Sequence, residues 1–328
     1  RPVGAGWPLC AAQAGRTHAS VAAAGWATRT TGRRRHLERK QALMLNQYRQ
    51  TNAWAPEKVI SGPWVRAWPT NPSPVGVPVQ SAPESHTMSI ARLLDENTLR
   101  AHYQPIARLD NGAVVAHESL IRLPAGHAIR NPDELFHAAR EQGLLVRLEQ
   151  ACLDEGIRTW SSLAGRLLFL NLSAFAVVEM VDRLTAAGVA CAFEAAGVSP
   201  SSLVIEITEH DHATDISRLI HSATQIRACG VRFALDDFGE GHSSLRLWAE
   251  LRPDYVKIDK YFTAGVEANP VKVQTLRGLV RFAEIFGTTL IAEGIETPSE
   301  LRVVRDLGIA LGQDRKSTRL NSSHRCIS

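Results

Sequence analysis

Between residues 99 and 313, short runs of strand-forming residues alternate with helix-length segments, and most of those runs carry an acid, an amide or a lysine inside apolar sequence. The alternation predicts a parallel-strand α/β architecture. The strand runs are His102–Leu109, Val114–Leu123, Phe169–Ser173, Leu203–Thr208, Arg232–Asp237, Tyr255–Asp259 and Leu290–Ile295, and an eighth begins near Ala310. Helix starts between them are legible. Asn131-Pro132-Asp133-Glu134 and Thr297-Pro298-Ser299-Glu300 each supply a capping side chain, a proline at the first helical position and a glutamate at the third, which satisfies the free N–H groups of a helix start. Seven strands and the beginning of an eighth point to a (β/α)8, TIM-like barrel rather than an open sheet. In such barrels the reactive groups collect at the C-terminal ends of the strands.

Strand periodicity then selects the residues that matter. In Leu203–Thr208, Glu206 shares a face with Val204 and Thr208, so a carboxylate stands in an apolar run at a real desolvation cost. The same anomaly recurs at Glu118, Asn171, Lys257 and Glu293, and at the adjacent Asp236 and Asp237. A single buried charge is readily explained as a structural ion pair. Six successive strands with a polar residue near the end require a shared cause, and a barrel brings those ends together. Several carboxylates in one mouth repel each other and take up protons unless divalent cations neutralise them. Ligands that are all oxygen suit Mg²⁺, Mn²⁺ or Ca²⁺ rather than zinc. Asp236 and Asp237 cannot both face inward in a regular strand, so they fit a strand terminus where each reaches a different metal. Two metals about 4 Å apart are a common device for cleaving phosphodiesters. The following Gly239-Glu240-Gly241-His242 stretch reads equally as an ordinary turn or a phosphate cradle.

Charge divides the chain in three. Residues 1–87 carry 11 Lys/Arg against 3 Asp/Glu, and residues 314–328 carry 4 against 1, which leaves 88–313 with a net charge of −7 within an overall +4. Five of the seven tryptophans lie in 1–87, a segment without a lasting helical or strand period. It is expected to be a disordered basic linker, or sequence ahead of the natural start. Met88 opens a clean amphipathic segment. Residues 314–328 read as a non-native tail. The basic arm lacks the aromatic–basic interleaving of a nucleic-acid site, so no DNA or RNA partner is expected. No run approaches the ~18 apolar residues of a membrane span. Five scattered cysteines without a Cys-x-x-Cys pair suggest a reducing, cytoplasmic setting.

The stretch from about Leu99 to Gln313 resembles the EAL-domain phosphodiesterases, bacterial enzymes that hydrolyse cyclic di-GMP to linear pGpG. The resemblance rests on Tyr103-Gln104-Pro105-Ile106, Glu118-Ser119-Leu120 with Arg122, Asn171 in Asn-Leu-Ser, and Glu206 with Glu209 in Ile-Glu-Ile-Thr-Glu. Asp236-Asp237-Phe-Gly, Lys257 in Val-Lys-Ile-Asp, Glu293 with Glu296, and Gln313 in Leu-Gly-Gln complete it. It implies that Glu118, Asn171, Glu206, Asp236 and Asp237 hold two Mg²⁺ or Mn²⁺ ions. Lys257 and Glu293 would orient and deprotonate the attacking water, Glu209 would fix the loop after Asp237, and Glu296 would support from behind. Gln104, Arg122 and Gln313 would contact the substrate. The family further implies a homodimer as a common state, and calcium that supports binding but inhibits cleavage.

Three departures stand out. Ser119 replaces the usual alanine, on the strand face opposite Glu118. His242 stands where the glycine-rich loop commonly has an aromatic residue. Asp314 follows Gln313 in place of a Gly-aromatic continuation, so the eighth strand and last helix are expected to be largely missing and the barrel open, with an unpaired edge. The alternative function is a catalytically silent cyclic di-GMP receptor that acts through protein partners. Such members usually lose a metal ligand or the lysine, and all those positions are intact here.

Overall fold

Ser89, at the start of the computed structural model's described residues, accepts from Arg92 N and caps α1 (Ile90–Asp95). The structure describes residues 89–313, apart from 125–126, 130, 161–165, 209–214 and 240–243. The expectations for 1–87 and 314–328, including the missing last helix, lie outside the described residues.

Eight strands form a closed barrel in chain order. They are β1 (Arg100–Arg108), β2 (Val114–Arg122), β3 (Leu167–Asn171), β4 (Leu203–Thr208), β5 (Arg232–Phe238), β6 (Tyr255–Ile258), β7 (Thr289–Glu293) and β8 (Leu311–Gln313). The helices between them are α2 (Pro132–Glu141), α3 (Leu145–Arg158), α4 (Ala174–Ala195), α5 (Ile216–Ala228), α6 (Ser244–Leu251), the single turn α7 (Lys260–Thr263), α8 (Pro270–Phe286) and α9 (Pro298–Asp306). The caps read from sequence form: Asn131 accepts from Glu134 N, and Thr297 and Glu300 make a reciprocal capping box. Among the described residues, no helix is long and apolar enough to cross a membrane.

Two expectations are corrected. The strands are not all parallel: β1 runs antiparallel to both β2 and β8, while β2 through β8 are parallel. The reason is the short connection through Asp110-Asn111-Gly112. There Arg108 N donates to Ala113 O, Gly112 adopts φ 70°, and Asn111 Oδ1 accepts from Ala113 N. A connection this short makes a hairpin, because a parallel crossover needs a dozen or more residues.

Nor is the barrel open. The eighth strand is only three residues long, yet it pairs with both neighbours: Ile106, Ala107 and Arg108 face Gln313, Gly312 and Leu311, and Glu293 faces Gln313. Three residues suffice because each side of the strand is hydrogen-bonded, which leaves no free edge.

The interior is layered by the two-residue period. Ile106, Ala116, Phe169, Val204, Ala234 and Ile291 form one buried cluster, with Tyr255 and Leu311 packed against it. Each full burial of a large apolar side chain there contributes about 1.5–3 kcal/mol. In β2 through β8, the residue two positions past this layer is Glu118, Asn171, Glu206, Asp236, Lys257, Glu293 or Gln313. In β1, which runs the other way, the matching residue is Gln104, two positions before Ile106. A polar ring therefore rests on an apolar floor. The outward residues, such as Leu170, Ile205, Phe233 and Val256, pack beneath the helices.

Candidate active site

Lys257 rises from β6 into the centre of the polar ring. Its Nζ lies 2.8 Å from Glu293 Oε1, 3.0 Å from both Glu206 Oε1 and Asp236 Oδ1, and 3.1 Å from Glu118 Oε2. Lys257 is 2 % exposed, and Glu206 is 0 % exposed. Glu118 is held on both sides, since Asn171 Nδ2 donates to Oε1 at 2.8 Å and Gln313 Nε2 to Oε2 at 2.6 Å.

One ammonium faces four carboxylates, which leaves three uncompensated negative charges if all are ionised. Burial opposes charge on Lys257, but Asp236, Glu118, Glu206 and Glu293 outweigh it and hold its pKa well above the usual lysine value. For Glu206, burial and the neighbouring Asp236 push the pKa well above the ordinary carboxylate range. Burial, only partly offset by Lys257, raises Glu293 as well. Glu118 goes the other way: burial works against ionisation, but Lys257 and donors from Asn171 and Gln313 prevail and lower its pKa.

Asp237 shows how adjacent acids reach one mouth. The β5–β6 register shifts between Leu235 and Phe238, and Asp237 adopts φ 52°. The irregularity interrupts the alternation of faces. Carboxylate oxygens of Asp236, Asp237 and Glu293 come within 4.8 Å of one another, and so do those of Glu118, Glu206 and Asp236. A left-handed aspartate is a local strain of the kind that concentrates at functional sites.

The ring fits hard divalent cations. Its candidate donors are oxygens, and divalent cations would offset the negative charge that otherwise favours protons on Glu206 and Glu293. Two buried acceptors, Glu206 Oε2 and Gln313 Oε1, have no hydrogen-bond partner among the described residues. Cations bound by Glu118, Asn171, Glu206, Asp236 and Asp237 would offset the charge and engage Glu206 Oε2.

Around the ring, Gln104 pairs opposite Glu118 in the β1–β2 register. Arg122, at the end of β2, donates to Ile121 O and lines a cavity of about 330 Å³ shared with Glu118, Asn171, Asp236, Asp237, Phe136 and Arg140. Gln313, assigned to the substrate by resemblance, has its carboxamide on Glu118 and is 4 % exposed. Glu296 is exposed, and its backbone N donates to Glu300 Oε2. Glu209 and His242 lie outside the described residues. Ser119 points away from the ring as expected: a Cβ on Gly156 of α3 would come within 2.6 Å of its Oγ.

One structural carboxylate, Glu149, escaped the sequence reading, and another, the capping Glu300, does more than its motif showed. Glu300 accepts from Gly265 N, Glu296 N and Thr297 N, which ties down the loop after β7. Glu149 accepts from both Ser173 N and Ser173 Oγ. The available signal for Glu149 was its place on the face of α3 shared with Leu145, Leu148 and Cys152, where an acid is out of character.

The barrel has known relatives. A family model described as "EAL domain" matches residues 88–313. The cyclic di-GMP phosphodiesterase RocR of Pseudomonas aeruginosa is 27% identical over 227 residues, covering 68% of this chain and 58% of that protein. A manganese and cyclic di-GMP complex of Klebsiella pneumoniae BlrP1 superposes with TM-score 0.59 at 27% identity, over 66% of this chain and 55% of that one. A cyclic di-GMP complex of the MucR phosphodiesterase gives TM-score 0.57 at 28% identity, over 66% of this chain and 94% of that one. The chain spans 26% to 58% of the length of the first curated relatives it matches. With every residue of the ring inside the matched span, the chain belongs to the EAL domain family.

Proposed function

We propose that this chain is a divalent-metal-dependent phosphodiesterase that hydrolyses cyclic di-GMP to linear pGpG. The observation that carries the reading is the buried meeting of Glu118, Glu206, Asp236 and Glu293 on Lys257, with oxygens left unpartnered beside them. Bound Mg²⁺ or Mn²⁺ supplies Lewis acidity, lowering the pKa of water and offsetting phosphate charge. The chain's own groups do the rest. Lys257 Nζ orients the attacking water, and the carboxylate of Glu293, held beside it at 2.8 Å, accepts the water's proton. Water oxygen bonds to phosphorus, the bond from phosphorus to the 3′ oxygen breaks, and that oxygen takes up a proton from solvent to leave as a hydroxyl. Arg122 meets the phosphate through charge-assisted hydrogen bonds, and Gln104 borders the substrate. Glu209, next after β4 in the chain, serves to fix the segment after Asp237, and Glu296 supports the site from behind. The substrate is anionic and the domain acidic, so metal charge is what makes the site attractive to it.

Chromatographic measurement of pGpG formed with Mg²⁺ or Mn²⁺ tests this. The unmutated chain is expected to turn over. Glu118→Ala and Lys257→Ala are each expected to lose about 10²-fold or more, and Ca²⁺ to support binding without efficient cleavage. Tight cyclic di-GMP binding without pGpG, in either cation, would replace the enzyme with a receptor.

A further inference from the structure

Glu149 stands on α3, outside the ring, yet it is 4 % exposed and lines the same cavity as Glu118, Asn171, Asp236 and Asp237. Both of its oxygens engage one residue: Oε1 accepts from Ser173 N at 2.9 Å and Oε2 from Ser173 Oγ at 3.0 Å. Ser173 Oγ in turn accepts from Ala176 N at 3.1 Å, the N-cap of α4. On the other side of this turn, Leu172 N donates to Glu206 O at 3.0 Å. The turn that follows Asn171 is thus gripped by α3 on one flank and β4 on the other.

A helix cap needs only the serine hydroxyl, which Ser173 already provides. Burying a carboxylate is costly, and an apolar residue beside Leu145, Leu148 and Cys152 would avoid that cost. Capping and packing alone do not require a carboxylate at 149, and the site side chain nearest its grip is Asn171, whose Nδ2 reaches Glu118 Oε1 at 2.8 Å.

We propose that Glu149 is a positioning residue for Asn171: it fixes the Asn171–Ser173 turn so that the carboxamide stays on Glu118. The proposal is independent of metal in its first consequence and rests on the divalent-cation reading in its second.

The first is read on the full chain labelled with ¹⁵N-asparagine and free of metal. The Asn171 side-chain amide, identified by its loss in Asn171→Ala, is expected to exchange slowly with solvent. In Glu149→Gln it should exchange about tenfold faster or more. Ser173→Ala, which removes one anchor and leaves the carboxylate, should shift it in the same direction by less. Glu149→Asp, which keeps the charge, should restore part of the protection. The second consequence is read by Mn²⁺ titration without substrate. Glu149→Gln should weaken Mn²⁺ binding by about 10–100-fold, as loss of an outer partner of a metal ligand usually does. Combined with Asn171→Ala, it should add nothing to the loss from Asn171→Ala alone. An unchanged Asn171 amide in Glu149→Gln and Ser173→Ala, or additive losses of Mn²⁺ affinity, overturns the proposal. If Mn²⁺ fails to bind the unmutated chain, the metal reading falls while the amide still decides the role of Glu149.

Discussion

At the scale of single residues, Lys257 is the only cation among the described residues in direct contact with four acids, three of them buried, and its removal makes a test with a definite sign. In Lys257→Met the acids lose the charge that favours their ionised forms, so the pKa values of Glu206 and Glu293, already raised, rise further. A carboxyl whose folded pKa exceeds its unfolded value stabilises the fold at low pH and loses that contribution as pH climbs. Metal-free Lys257→Met is therefore expected to melt lower at pH 8 than at pH 5, with Mn²⁺ restoring part of the difference. Asp154 on α3 obeys the same sign in isolation. Burial alone pushes its carboxyl up to about 7. Its folded form favours the proton, so it stabilises the protein below the unfolded carboxylate range and opposes folding increasingly as pH rises towards 7. Thermal melts should show Asp154→Asn more stable than the parent at pH 8 and indistinguishable from it near pH 4. Equal melting gains at both pH values would sink this account.

At the scale of elements, the end of β7 depends on a backbone that only glycine adopts freely. Gly294 follows Glu293 directly, has φ 65°, and a Cβ there would lie 2.5 Å from Lys260 Cβ on α7. Thr263 Oγ1, from the same turn of helix, donates to Glu293 O. Gly294→Ala is expected to cost about 1–2 kcal/mol for the left-handed backbone alone, more with the displaced turn, and to lower turnover through Glu293; urea denaturation and a rate assay check both. Seven strands were legible in the sequence, because apolar alternation survives around Glu118, Glu206, Lys257 and Glu293; the eighth was read only as a beginning and wrongly expected to be largely missing. The ring was legible for the same reason: period two places each of these residues above an apolar partner. The direction of β1 was not, although Asn111-Gly112 between two strand runs is a hairpin signal, because the regular alternation elsewhere favoured a crossover. The bulge at Asp237 was visible only as the conflict between two adjacent acids. Glu149 was missed because its partner, Ser173, lies 24 residues away across a helix–strand boundary.

At the scale of the whole molecule, the barrel is closed by its shortest strand. A chain ending at Ala310 would leave β1 and β7 unpaired along facing edges and remove Gln313 from Glu118. It is expected to bind a hydrophobic dye and unfold without a cooperative transition, whereas the full chain should do neither; calorimetry distinguishes them. The contact between Gln313 and Glu118 joins positions 195 apart in sequence, and contacts of such long separation are slow to form because their loop entropy must first be overcome. A refolding chain should therefore regain its helical circular dichroism well before it answers to added cations. Until the last strand docks, a nascent copy is chemically mute, so maturation and competence share one clock.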